Sequence, residues 1–401
     1  PPPAPRREVA VEEWINGEAT LATVARLGAL LREGRLPRSL APLAGQLDRI
    51  DVLSERLYDS TFFSGVVEGD AVFSPVFVRG DHSELGEEQL PHRFFTALDG
   101  VEHPFTQTPS GRWELAEAML DPQNPLTARV LVNRIWQHLF GRGIVETVDN
   151  FGLQGKLPTH PQLLDHLAIR FVEKEWSVKK LIRYIVLSNT FRQSTSASTR
   201  SRQVDPENLL LQHFPLRRME AEAIRDAILA VSGQLDTTMY GPPVPVHLTG
   251  FMKGRGRPAA SGPLDGTGRR SVYLEVRRNF LNPFMLTFDM PAPFSTFGRR
   301  NVSNVPAQSL TLMNDPFVAE QARHWAAKII RSTPDEEQRI DQVYRVAFSR
   351  LPTGDERQAA RSFLEEQRQH YEPIKPEELE LALWTDFCHS IINMKEFIFL
   401  L

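Results

Sequence analysis

Apolar residues recur at three- and four-residue spacing along most of this chain, and a 39-residue break interrupts them. A stripe of that period is the signature of an amphipathic helix. Leu21, Val24, Ala25, Leu27, Gly28 and Leu31 open the pattern, and Leu43, Leu47, Ile50 and Leu57 continue it over residues 7–58. Residues 125–140 place Ala128, Leu131, Val132, Ile135, Trp136 and Leu139 on one face. Residues 161–173 do the same with Leu163, Leu164, Leu167, Ala168 and Phe171, and residues 177–191 with Val178, Leu181, Ile182, Ile185 and Val186. Residues 216–231 add Ala221, Ile224, Ile228 and Val231. The break, residues 232–270, holds eight glycines and five prolines. A connection of that length inside a domain is a functional loop or a disordered one.

End signals sharpen the helices. Thr159 with Gln162 reads as a capping box, as do Thr333-Pro334-Asp335-Glu336 and Thr353-Gly354-Asp355-Glu356. Asp315-Pro316 reads as a cap followed by proline in the first turn, and Gly141 as a helix C-cap. The last helix is expected over about 376–396. Strands are few: residues 71–79, with Pro75 marking an edge strand, and the alternating residues 271–277. The fold class is therefore mainly α, a multi-helix domain with a few short strands and a long Gly/Pro-rich loop at 232–270.

Composition excludes more than it identifies. Formal charge is −4 over 401 residues, so the surface as a whole does not suit nucleic acid. The one cysteine, Cys388, rules out an internal disulfide, a CxxC pair and CxxCH haem attachment, and it reads as a packed core thiol. No run approaches the ~20 apolar residues of a membrane span. HExxH, GxSxG and GxxxxGK[ST] are absent. No histidine set has a metal-ligand spacing, so no metal site is expected. The proline-rich start, Pro1 to Arg7, has no methionine and reads as a linker from something upstream.

Three constellations carry chemistry. Asn133, Arg134 and His138 lie on the helix at 125–140, with Asp149 and His160 on the loops that follow. They make either a site where histidine moves a proton and arginine holds an anion, or a polar network fixing a loop to a helix. Arg218, Glu222 and Asp226 stand four apart on an expected helix at 217–226, with Arg225 beside them. That spacing suits a salt-bridged surface or a carboxylate pair for acid–base work. Residues 250–300 hold nine basic side chains against three acidic ones, a net +6 inside an acidic chain. Arg269, Arg270, Arg299 and Arg300, with Asn301 next to them, suit an oxyanion such as sulfate, carboxylate or phosphate.

The order of several motifs adds a resemblance. Asp121-Pro122-Gln123-Asn124-Pro125, Asn133-Arg134-Ile135-Trp136-Gln137-His138, Asp149-Asn150-Phe151-Gly152 and Pro158-Thr159-His160-Pro161 come first. Arg217 to Glu222, Gly298-Arg299-Arg300-Asn301, Val305-Pro306-Ala307-Gln308-Ser309-Leu310 and Asn314-Asp315-Pro316-Phe317-Val318 follow. Over residues 70–401 the chain resembles the planctomycete-type family called domain of unknown function 1553. The resemblance implies a module that closes a long exported protein containing cytochrome-c-like modules, in bacteria rich in sulfatases and polysaccharide degradation. Residues 1–70 would then be a helical connector and residues 71–401 the domain itself. The resemblance implies that any haem would belong to an upstream module, and no cofactor is expected in this chain. The implied partners are an anionic polysaccharide or the cytochrome-like module, and the implied location is extracytoplasmic. No activity comes with the name. Three readings follow: a module binding a sulfated or uronic polysaccharide or a partner module, a polysaccharide-active enzyme (hydrolase, lyase or the substrate-handling part of an oxidoreductase), and a structural assembly domain. Catalysis would fall to His138, Asp149, His160 and Glu222. Ligand binding would fall to Asn133, Arg134, Arg218, Arg225, Arg269, Arg270, Arg299, Arg300 and Asn301.

Overall fold

A computed structural model describes residues 10, 12–14, 16–18, 20–32, 65, 75–99, 105, 110–294, 296–371 and 375–400. Two compact units emerge, one of Pro1–His92 with Thr106–Gly111, the other of Arg93–Phe105 with Arg112–Leu401. In the first unit, α1 (Leu21–Arg32) buries Leu27 and Leu30 against Ala10. β1 (Pro75–Phe77) pairs antiparallel with β2 (Leu85–Gln89). The expected strand at 71–79 is thus realised at its Pro75 end, while residues 71–74 lie outside the described residues. So do Leu43, Leu47, Ile50 and Leu57 of the expected helical run.

The second unit is mainly helical. Its first group is α2 (Arg112–Leu120), α3 (Thr127–Phe140), α4 (Pro161–Glu173), α5 (Val178–Val186) and α6 (Thr199–Val204). Val132, Ile135, Trp136 and Phe140 of α3 meet Leu164, Leu167 and Phe171 of α4 and Leu181 and Ile185 of α5 in one apolar cluster. Leu131, Val178 and Ile182 of the expected stripes are exposed instead. Gly141 caps α3 at φ +82°, as its sequence position indicated.

The second group starts with β3 (Arg217–Arg218) and α7 (Ala221–Ser232). It continues with α8 (Pro283–Thr287), α9 (Pro306–Asn314), α10 (Pro316–Ser332), α11 (Glu336–Phe348), α12 (Gly354–His370) and α13 (Pro376–Ile392). The short α14 (Lys395–Ile398) runs into β4 (Phe399–Leu400). The core of this group is Ile224 and Ile228 of α7, Ala322, Trp325 and Ala326 of α10, Val343 of α11, and Trp384, Cys388 and Ile392 of α13. Cys388 is wholly buried there, and burial pushes its thiol well above the usual range. α7 starts at Ala221, not at 217. Arg217 and Arg218 are extended and pair with Leu400 and Phe399, and Met219 N–H donates to Ile398 O at 2.8 Å. The competing partner is a strand from the far end of the sequence, which helical spacing cannot reveal.

The Gly/Pro-rich loop extends to about residue 282 and has an order of its own. Val246, Leu248 and Phe280 form a small apolar cluster. Gly262 N–H donates to Val246 O at 2.9 Å, and a Cβ on Gly262 would lie 1.9 Å from the Pro245 carbonyl, so only glycine permits this approach. Residues 271–277 do not form the expected strand. Ser271–Tyr273 is a single 3₁₀ turn, and Val244 bridges Leu274 in parallel without extending. Pro242, Pro243 and Pro245 flank that bridge and supply no N–H for a longer ladder.

Two expected caps are also corrected. The Thr159 hydroxyl donates to Ile144 O, and His160 stands at the N-cap of α4 without a side-chain bond. Asp335, not Thr333, caps α11 by accepting from Gln338 N–H. Asp315 caps α10, and Thr353 with Glu356 forms the capping box of α12. The last helix ends at Ile392, short of 396, because Asn393 turns the chain into α14. Among the described residues no helix is long and apolar enough to cross a membrane.

Arg350 ties two helix starts together. Its guanidinium contacts Glu356 of α12 at 2.7 Å and Glu396 of α14 at 2.6 Å. The Arg350 hydrogen bond is the largest cause holding the Glu356 carboxyl down to about 2. A depressed folded-state value means the unfolded chain binds the proton more readily. The stability it contributes is therefore full above about pH 4.5 and is lost as pH falls towards 2. Glu356→Gln, which keeps the cap, should lower stability by on the order of 2 kcal/mol at pH 6. That deficit should vanish near pH 2 in denaturant titrations compared across pH.

Candidate functional site

α7 begins at a point where three chain segments converge. Glu220, just ahead of it, is extended, and its carboxylate makes no cap hydrogen bond to the helix amides. One oxygen lies 3.6 Å from His138 Nδ1 at the end of α3, the other 3.6 Å from Arg300. Arg300 also contacts Glu222 at 2.5 Å. His138, Glu220, Arg300 and Glu222 thus form one chain of polar contacts. The His138 ring is the largest cause lowering the Glu220 pKa, and Arg300 and Arg217 add to it against the opposing effect of burial. Burial works against the Arg300 charge, but Glu222 and Glu220 outweigh it and raise its pKa.

Glu220 and Arg300 line two adjoining cavities. The larger, about 490 Å³, is walled by Glu220, Glu222 and Asp226 of the α7 edge and by Glu275, Arg270 and His247 from the irregular segment. Val246, Leu264, Leu274, Met285 and Met290 supply apolar wall. The smaller, about 250 Å³, is lined by Gln137, His138, Arg217, Arg218, Asn301 and Phe399 among others. Carboxylates and arginines facing one space offer acceptors and planar donors together, the arrangement that holds hydroxyl-bearing ligands. Among the described residues no group of three or more His, Cys, Asp or Glu side chains is placed to hold a metal ion.

Of the residues singled out in the sequence, His138, Arg218, Glu222, Arg300 and Asn301 meet around these cavities, and Arg270 lines the larger one. Arg134 pairs with Asp149 at 3.1 Å, and Asp149 accepts the Gly298 N–H at 2.8 Å. That bond anchors the segment carrying Arg300 and Asn301. A Cβ on Gly298 would lie 2.0 Å from the Asp149 carboxylate, so the close approach requires glycine. Asn133 is buried and makes a two-bond clamp with the Val145 backbone, outside both cavities. His160 meets Thr159 Oγ1 at 2.9 Å and lines neither cavity.

The arginines divide sharply. Arg218, 4% exposed, holds Asp289 at 2.5 Å and the Ser303 carbonyl at 2.7 Å. It is an internal strut and not the exposed i, i+4 partner that helical spacing suggested. Arg225, 2% exposed, donates to the Asp265 and Arg269 carbonyls at 2.6 and 2.9 Å and to Ser271 Oγ at 3.1 Å. Burial lowers its pKa. Arg269 lies over the Tyr273 ring at 4.1 Å and donates to Tyr240 O. Arg270 is half-exposed, 3.7 Å from Asp226. Arg299 is exposed.

The family model described as protein of unknown function (DUF1553) matches residues 111–364. The chain belongs to that family. The matched stretch includes every residue lining the larger cavity of this DUF1553 domain. No curated protein and no solved structure matches the chain.

Sequence reasoning missed Glu220, the residue shared by both cavities, and Asp289, the partner of Arg218. For Glu220 the available signal was its place two residues before Glu222 at a helix start. For Asp289 the signal was a short polar residue ahead of Met290-Pro291, and it does adopt a left-handed φ of +65°. Arg225→Met should lower stability by about 3 kcal/mol, because one buried and two half-buried acceptors lose their donor. Amide hydrogen exchange should speed up across 265–273 and stay unchanged in α12.

Proposed function

We propose that this domain is a saccharide-binding module that works outside the cytoplasm, beside a cytochrome-like module of the same exported protein, with residues 1–70 as connector. The observation that carries the reading is the larger cavity, where Glu220, Glu222, Asp226 and Glu275 line one space with Arg270 and Arg300, beside an apolar wall. Sugar hydroxyls donate to carboxylates and accept from guanidinium groups, while the apolar ring faces lie against Leu274, Met285 and Met290. The four carboxylates against two arginines make the cavity itself suit a polymer that presents hydroxyl groups there. A sulfate or uronic carboxylate of an anionic polymer would sit at Arg270, which is half-exposed. Family membership leaves the ligand open.

Calorimetric titration with neutral, uronic and sulfated oligosaccharides tests this. Binding of one class is expected, weakened about tenfold or more in Glu222→Gln and in Arg300→Gln by loss of charged hydrogen bonds. Binding of none, or affinity in both variants equal to that of the unsubstituted protein, refutes it. A second reading, an acid–base enzyme on such a polymer, is favoured by the His138–Glu220 contact at 3.6 Å. It predicts new reducing or unsaturated ends, abolished in His138→Ala and Glu220→Gln while binding persists.

A further inference from the structure

The turn from α4 to α5 carries positive charge that neither of these cavities uses. Three of the eight lysines in the chain, Lys174, Lys179 and Lys180, fall within seven residues. A third cavity, about 170 Å³, is lined by Arg170, Phe171, Lys174, Ser177, Lys180 and Leu181, so three cations border it and no carboxylate does. At about 30 Å³ per water molecule that is room for about six, enough for the five heavy atoms of a tetrahedral oxyanion.

The walls are preformed. Phe171 and Leu181 are buried in the α3–α4–α5 cluster. Glu175 and Trp176 are both left-handed, at φ +59° and +56°, and reverse the chain between the helices. Trp176 packs edge-on against Phe171, which holds that turn. The Arg170 guanidinium lies 4.0 Å from the Tyr184 ring centroid, which fixes its plane. The carbonyls of Arg170, Phe171, Val172 and Lys174 accept backbone N–H bonds. Lys180 reaches Glu175 at 3.4 Å, but Glu175 is 86% exposed. Such a surface pair is weak and an incoming anion displaces it. Among the described residues neither Arg170 nor Lys174 has an ion pair. The exposed cations Lys253, Arg255 and Arg257 offer a contrast: they line none of the three cavities.

We infer that this third cavity binds a tetrahedral oxyanion, the group common to sulfate esters and phosphates. Lys174 and Lys180 supply compact charge, and Arg170 a planar fork. The site shares no lining residue with the larger cavity and stands whether or not that cavity binds a saccharide.

The test is calorimetric titration of the whole chain at low ionic strength with sodium sulfate, sodium phosphate and dextran sulfate, with uncharged dextran as control. Saturable binding of the two ions is expected, weakened about tenfold or more in Lys174→Gln/Lys180→Gln. Both lysines are exposed, so an unchanged melting temperature verifies the fold of that variant. Arg255→Gln/Arg257→Gln removes the same charge elsewhere and should bind as the unsubstituted protein does. Tighter binding of dextran sulfate than of either ion upholds the site and assigns the group to a polymer ester. Phosphate binding as tight as the polymer upholds it and assigns a free ion. Absence of saturable ion binding, unchanged affinity in the lysine variant, or equal loss in the arginine control overturns it.

Discussion

The Arg225 guanidinium, buried where α7 meets the irregular segment, is the interaction on which the larger cavity depends. That segment contains too many glycines and prolines to pair into a sheet, so its backbone carbonyls need donors from elsewhere. Arg225 donates to Asp265 O, Arg269 O and Ser271 Oγ from one rigid group. Asp226, the next residue on α7, accepts from the Ser271 amide and hydroxyl. Neighbouring residues of opposite charge thus grip the loop from both sides, and the cavity lies between that grip and the α7 edge. Gly266 sits close enough that a Cβ would meet Arg225 Nη2 at 2.6 Å, so the contact leaves no room for a side chain.

The same device recurs and gives a structural use to the chain's excess of arginine over lysine, 38 against eight. Arg218 spans Asp289 and two carbonyls, Arg339 reaches Glu380 and Thr333 O, and Arg350 forks onto two glutamates. A planar group with five donors can satisfy several acceptors in fixed directions, which an ammonium on a flexible stem does not. The rarity of lysine then makes the group at 174–180 stand out as charge with a different purpose.

The helices with a strong apolar stripe, α3, α4, α5 and α7, were legible from spacing, and the caps at Asp315 and Thr353 from local chemistry. Those features depend on residues a few positions apart. What escaped depends on distant partners. Arg217 and Arg218 continue a helical pattern on paper, yet a strand from residues 399–400 claims their backbone. Thr159 and Thr333 match a capping motif, but Ile144 O takes the first hydroxyl and Asp335 competes with the second. His138, Glu222 and Arg300 were each singled out for their chemistry. Only Glu220, unremarkable in sequence, joins them, because its role arises from its extended backbone at the helix entrance. Asn133 and Arg225 were read as ligand contacts because a buried clamp and a binding group use the same residue types.

The pairing of β3 with β4 has a consequence for how the domain is made. The smaller cavity takes Gln137 and His138 from α3 and Phe399 from the far end of the second unit. During synthesis the early helices can pack on their own apolar cluster well before residues 399–400 emerge. Arg217 to Met219 must wait, with unpaired edge groups, for residues 398–400. Completion of the site is therefore tied to a contact of long sequence separation, the kind that forms slowly. A cavity wall assembled in this order stays incomplete until residues 399–400 have been made, so the cavity matures with the fold and not before it.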